Sequence, residues 1–326
     1  MAKMRMQQPS KTAFFIVLAL LAALGPLVGS SYFQHILILC FIWTIVVAAW
    51  DLSIGYAGIF NFAQLALFAI GSYVSAMLSM HLGFPAFFAV LLAGAVTALA
   101  GFLVALPCLR LKGEYVALFT FSVHLALPTL LEKGRDFGTG GATGLLGVPP
   151  IELVGFVFRT NNKLGWYYLA LCVAALSVWL IYYHIASAKW GRAFVALRDA
   201  EGFARSLGVD DQRAKLMLFT ISAAITGIGG ALYAHYIAVI TPRVLGNEFF
   251  LLVMVMLSVG GMGRFPGAVL GVFIITIGNE ALREFGQYRL LILGLVVVLA
   301  AIWLPRGLGG LFNRKGKKGD TKMLRS

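Results

Sequence analysis

The chain has 326 residues, of which 60% are apolar and only 12% charged, and it carries a net charge of +13. No soluble domain of that length has an interior large enough for so much apolar surface, so the bilayer is the solvent for most of this chain. The composition therefore excludes a string of soluble domains and predicts one all-α polytopic membrane domain.

The chain opens on a short basic segment, 1–12, which passes into an apolar run from Ala13. A basic start followed by an apolar middle also describes a secretory leader. The run continues to about Val28 and a second one follows at once, so a retained first span is expected. Apolar runs then predict about ten transmembrane helices, at 13–30, 32–50, 54–80, 84–108, 114–131, 165–187, 215–241, 247–263, 266–282 and 287–304. The membrane domain as a whole covers 13–304.

Several of these runs are broken or short. The third begins DLSIGYAGIFNFAQLALFAIGSYVSA, where Gly55, Gly58 and Asn61 interrupt the apolar pattern and Asn61 and Gln64 are polar at membrane depth. Glycines there serve close helix packing or break the helix, and a broken helix is tolerated only against protein or a water-filled cavity. Ser122 and His124 share the fifth run, but no carboxylate lies at helical spacing from them, so a catalytic reading is weak. His124 stands out as an ionisable group at depth; a neutral imidazole bonded between helices is the plainer account.

The interval 132–164 reads as an ordered external loop, rich in Gly and Thr, with Pro149-Pro150 before a β-like run from Ile151 to Phe158. The interval 188–214 is the longest polar stretch between two apolar ones. In it Phe194, Leu197, Ala200 or Ala204, and Leu207 recur at spacings of three and four, which predicts one apolar stripe on a short amphipathic helix, with Gly208 at its C-cap. Such a helix is either a solvated loop element or a surface that a soluble partner grips. Further on, SVGGMGRFPGAVLGVF sets Gly260, Gly261, Gly263, Gly267 and Gly271 around Pro266, and the ninth span is short enough that it need not cross fully. Residues 305–326 form a basic tail.

An even number of spans puts both termini on one side. With that side in the cytoplasm, nineteen Lys and Arg lie inside against seven outside, which sets the orientation. The same asymmetry accounts for the net charge through anionic lipid and removes the need for nucleic acid. Cys40, Cys108 and Cys172 are too far apart in sequence for a metal motif and read as small core residues.

Chemistry is mostly absent. No G-x-x-x-x-G-K-[ST], H-E-x-x-H or G-x-S-x-G occurs. No span carries the repeated intramembrane charges of a proton- or sodium-driven carrier. A conduit with a docking helix, no ion relay and no nucleotide site reads as one subunit of an ATP-driven transporter.

Three collinear stretches carry a resemblance. They are DLSIGYAGIFNFAQLALFAIGSYVSA; LRLKGEYVALFTF with TGGATGLLGVP; and GRAFVALRDAEGFARSLGVDDQRAKLMLFTISAAITGIGGALYAHYIAVITP through SVGGMGRFPGAVLG to LPRGLGGLF. Together they resemble the longer permease subunit of branched-chain amino acid ABC importers over nearly the whole chain. The resemblance implies a bacterial inner-membrane protein with a second permease subunit, two cytoplasmic ATPase subunits and an extracytoplasmic substrate-binding protein. This chain would bind no cofactor, since ATP and magnesium belong to the ATPases, and would be no enzyme itself.

The 192–208 helix then resembles the coupling helix, with Arg192, Leu197, Arg198, Asp199, Glu201, Ala204, Leu207 and Gly208 as the ATPase-facing set; Phe203 stands where the family has Ala. Gly55, Gly58, Asn61, Gln64, His124, Gly260 and Gly261 are the candidates for the substrate path. Asn61-Phe62-Ala63-Gln64 replaces the family's Ser-Leu-Gly-His, so import of urea, short amides or aromatic acids stays open beside hydrophobic amino acids. The more distant alternatives are a standalone carrier or channel and a membrane enzyme acting on lipid-linked substrates.

Overall fold

The computed structural model describes residues 11–27, 30–111, 113–153, 156–158, 162–206, 210–286, 288–303 and 307–312. The helices in chain order are α1 (Lys11–Leu27), α2 (Ser31–Asp51), α3 (Gln64–His81), α4 (Ala86–Cys108), α5 (Glu114–Lys133), α6 (Lys163–Val178), α7 (Lys189–Ser206), α8 (Asp211–Ile237), α9 (Asn247–Gly260), α10 (Gly267–Ala281), α11 (Tyr288–Trp303) and α12 (Gly309–Phe312). Each predicted span contains one of these helices. Among the described residues five segments are long and apolar enough to cross a membrane: Ser31–Tyr56, Ala86–Cys108, Glu114–Phe137, Lys163–Ile185 and Asp211–Ile237. Phe15–Leu24 and Asn247–Gly260 are shorter apolar helices.

α2 is apolar on every face, and a helix of that kind belongs inside a bundle rather than at its surface. It is accordingly the most buried of the five, wrapped by α6, α8 and α10. The most extensive pairing is between α4 and α8. On α4, Ala93, Thr97, Gly101 and Ala105 recur every fourth residue and all are fully buried. Small residues at that spacing let two helix backbones approach closely in a membrane, where dispersion rather than water expulsion drives association. The approach is tightest at Gly227 of α8. A Cβ there would lie 2.4 Å from Thr97 Oγ1, while one on Gly71 of α3 would lie 2.3 Å from the Gly227 carbonyl. Three helices thus meet at a point with no room for a methyl group.

The third predicted span begins later than its apolar run suggests. Residues Leu52–Tyr56 continue α2 as a π-helical turn, so one helix runs from Ser31 to Tyr56. The chain then unwinds over 57–63, with Gly58 at φ +69°, and α3 starts at Gln64. The helix of the eighth predicted span, α9, ends at Gly260 rather than 263, because Gly261 turns to φ +97°. α6 likewise ends in a π-helical segment, Trp179–Ile185. The helix after the amphipathic one starts at Asp211, four residues before the apolar run, because the side chain of Asp210 caps it by accepting from Arg213 N at 3.0 Å.

The loop predicted at 132–164 is ordered where it is described. α5 extends to Lys133 and a 3-10 turn follows at Gly134–Phe137. β1 (Leu145–Leu146) pairs antiparallel with β4 (Val239–Ile240), just beyond α8, and β2 (Ile151–Leu153) pairs with β3 (Phe156–Phe158) as the predicted β-like run. His235 of α8 ties this loop down: Nδ1 lies 2.7 Å from Pro149 O and Nε2 lies 2.8 Å from Ser75 Oγ. Short loops sort to two ends. Residues 57–59, Leu111, Gly113 and α7 share one end, and Gly307 and Gly309 pack there against Gly261 and Arg264. The strands, His81 with Gly138, and Lys163 with Ser31 lie at the other.

Candidate functional site

α7 forms because its apolar residues fall on one stripe, and it stays because that stripe is buried. Phe194 and Leu197 insert among Ile181, Tyr182, Ile185, Ala214 and Leu218, in the same core that surrounds α2. The opposite face carries Arg192, which donates to Ser187 O at 3.4 Å, and Asp199, which is exposed. Glu201 and Ala204 lie on α7, but their side chains fall outside the described residues, as do Leu207 and Gly208 altogether.

Arg198, beside that stripe, reaches the chain around the break after α2. Its Nη1 donates to Gly55 O at 2.8 Å, and its Nε pairs with Asp199 at 3.1 Å. Its stem passes so close to Gly58 that a Cβ there would sit 2.5 Å from Arg198 Cγ. Both glycines flank the break after α2. The amphipathic helix is therefore bonded to the backbone of the π turn and packed on the first residues of the unwound segment.

The other side of that segment is closed by Asp51, a residue that sequence reasoning missed. It sits fully buried at the end of α2. Its Oδ1 accepts from Gly263 N at 2.6 Å and its Oδ2 accepts from the Tyr182 hydroxyl at 3.0 Å. Gly55 is wedged between them: a Cβ on it would lie 2.1 Å from Gly263 N and 2.2 Å from Asp51 Oδ1. One junction thus joins the π turn after α2, the π end of α6, the α9–α10 loop and α7. The signal was present in the sequence, since a single carboxylate at the edge of an apolar run, four residues before a glycine, is costly unless bonded.

Asn61 and Gln64 come together, but inside protein. Both are fully buried. The Asn61 side chain accepts from Ala63 N at 3.1 Å just before α3, while Trp50 Nε1 donates to the Asn61 backbone carbonyl at 2.6 Å. Gln64 Nε2 donates to Ser222 Oγ at 3.0 Å and to Thr226 Oγ1 on α8, and Ser222 donates to Ala49 O at 2.8 Å. This polar seam satisfies the groups that breaking the helix sets free, as membrane depth requires.

The glycines expected on the substrate path divide. Gly55 packs on Gly263 and Gly260 on Gly267 and Ala268, while Gly261 turns the chain. Gly58 lines a cavity of about 120 Å³ with Leu197, Arg198, Lys215 and Phe219. His124 is fully buried on α5, stacked at 6.0 Å on Phe121 and at 5.0 Å from Phe250. Among the described residues no group of three or more His, Cys, Asp or Glu side chains is placed to hold a metal ion.

The fold and this junction define an all-α integral membrane protein with an amphipathic helix bonded into one end of its bundle. Residues 32–301 match the family model described as the branched-chain amino acid transport system permease component. The chain is 32% identical over 318 residues, 90% of its own length and 74% of the relative's, to the high-affinity branched-chain amino acid transport system permease protein LivM of Escherichia coli strain K12. It is 25% identical over 286 residues to the permease protein LivH of the same system and strain, covering 82% of this chain and 91% of LivH. It is also 25% identical over 307 residues to the fructose import permease protein FrcC of Rhizobium meliloti, covering 90% and 84%. No solved structure matches. The chain belongs to the branched-chain amino acid permease family.

Proposed function

We propose that this chain is the longer permease subunit of an ATP-driven importer of branched-chain or other hydrophobic amino acids. It pairs with a second, shorter permease subunit and takes substrate from an extracytoplasmic binding protein. It is worked by two cytoplasmic ATPase subunits that hold the ATP and magnesium, so it carries no cofactor and catalyses no reaction of its own. It sits in a bacterial inner membrane with both termini inside and crosses it about ten times. The observation that carries this reading is the bonding of α7 to the break after α2, through Arg198 and Gly55. An ATPase that grips the exposed face of α7 and moves on binding ATP pulls on that backbone, and two packed helices respond by switching between discrete arrangements rather than by bending smoothly. Substrate identity follows the named function of LivM, to which the likeness is greater than to FrcC.

The test is the position of α7. Asp199→Cys, in a chain whose exposed Cys172 is replaced, is expected to react with an impermeant thiol reagent from the cytoplasmic side only. In the assembled complex it is expected to cross-link to an ATPase subunit. Labelling from outside intact cells overturns the reading.

A further inference from the structure

A cavity of about 330 Å³ opens at the face of α5 and is lined by Phe62, Glu114, Ala117, Leu118, Phe121 and Phe250. That volume lies at the small end of the roughly 300–1,000 Å³ typical of ligand sites. Its wall is aromatic: the Phe250 ring lies 5.7 Å from Phe62 and 5.5 Å from Phe121. Glu114, Ala117 or Leu118, and Phe121 rise along α5 one turn at a time, and His124 is the next step. The imidazole lies behind the wall, fully buried, and among the described residues neither ring nitrogen has a hydrogen-bond partner. Buried polar side chains are nearly always paired, so two open ring nitrogens at membrane depth point to a polar group that comes and goes.

We propose that this cavity is a solute site on the translocation route, that its aromatic wall holds the aliphatic side chain of a hydrophobic amino acid, and that His124, covered here by the Phe121 and Phe250 rings, meets the polar head group when those rings turn aside. The proposal rests on the function argued above and locates it. Two observations favour this occupant over a lipid tail. α5 is the least buried of the five candidate spans and the least apolar. The Glu114 carboxylate at the cavity attracts the ammonium of an amino acid and repels an anionic phosphate headgroup, and an acyl chain offers His124 nothing.

The site is also connected to the drive. Phe62 N donates to Thr120 Oγ1 at 3.0 Å, which pins the unwound segment to α5 and holds Phe62 in the wall. The same segment carries Gly58 and follows Gly55, where Arg198 is bonded. A displacement of α7 therefore reaches the wall of the cavity through fewer than ten residues of irregular chain.

The experiment uses the assembled transporter with its ATPases and binding protein in proteoliposomes. It measures initial uptake of L-leucine and L-alanine, each at saturation. His124→Phe fills the same space without ring nitrogens and is expected to cut L-leucine uptake at least tenfold; His124→Asn keeps a polar group and is expected to stay within about threefold of wild type. Phe250→Trp narrows the cavity and is expected to slow L-leucine several-fold more than L-alanine. If His124→Phe and Phe250→Trp both transport within twofold of wild type for both solutes, the site is overturned. If the wild-type assembly takes up neither amino acid, the functional reading fails and the site with it; normal wild-type uptake with unaffected variants overturns the site alone.

Discussion

Gly55→Ala is expected to abolish uptake and to lower the melting temperature of the purified protein. The added methyl carbon would sit 2.1 Å from Gly263 N, 2.2 Å from Asp51 Oδ1 and 2.6 Å from Gly263 Cα, so backbone has to move and not merely a side-chain end. Forcing a methyl group into packed structure costs about 1–3 kcal/mol. Separating Gly263 N from the Asp51 carboxylate adds about 1–3 kcal/mol for a buried donor left without its acceptor. The sum is a large share of a membrane domain's stability. Gly263→Ala is expected to behave alike, because its φ of +69° disfavours any side chain and its Cβ would meet Gly55 O at 2.5 Å. Thermal unfolding in detergent with uptake in parallel checks both. A Gly55→Ala protein that melts and transports like wild type would mean that the two backbones are not in contact.

Arg198→Ala is expected to leave the protein folded and uncouple it. α7 remains seated by Phe194 and Leu197, which are buried without help from the guanidinium. What is lost is the bond to Gly55 O and the stem against Gly58, two direct ties from α7 to the chain on either side of the break. In the assembled transporter, substrate-loaded binding protein is then expected to stimulate ATP hydrolysis at least fivefold less than in wild type, with basal hydrolysis kept. Arg198→Lys is expected to fall between, since an ammonium on a flexible stem lacks the planar fork that fixes the geometry. Full stimulation in Arg198→Ala would place the mechanical connection elsewhere.

Much of the fold was legible because membrane helices announce themselves by length and apolarity. The ten apolar runs each hold a helix, and the amphipathic helix lies where the spacing of Phe194 and Leu197 put it. The break near Gly55 and Gly58 was legible as well, since glycines and Asn61 interrupt an apolar run. Its place was not. Leu52–Tyr56 look like the start of the next span because they are apolar, yet they finish the previous helix as a π turn, and only packing against Gly263 and Arg198 decides between the two.

The same limit applies to the site. Gly55 and Gly260 read equally well as path or packing, and the structure shows both with backbone at contact distance. Asp51 escaped notice because it stands at the boundary of two runs, where a charge is ordinary; its burial follows from a helix that continues past it. The every-fourth-residue stripe on α4 gained its meaning from the fold, which sets it against Gly227 and Ala223 of α8. Glu114 and Phe250 lie far apart in sequence and share a cavity only because α5 and α9 meet.

A passive conduit driven from the end where α7 lies moves no solute by itself. The most direct test is L-leucine uptake into proteoliposomes holding either this chain alone or the full assembly with its partner permease, ATPases and binding protein. Uptake is predicted only for the assembly, and only with ATP on the side that exposes α7. Uptake by the isolated chain, or by the assembly without ATP, would contradict it.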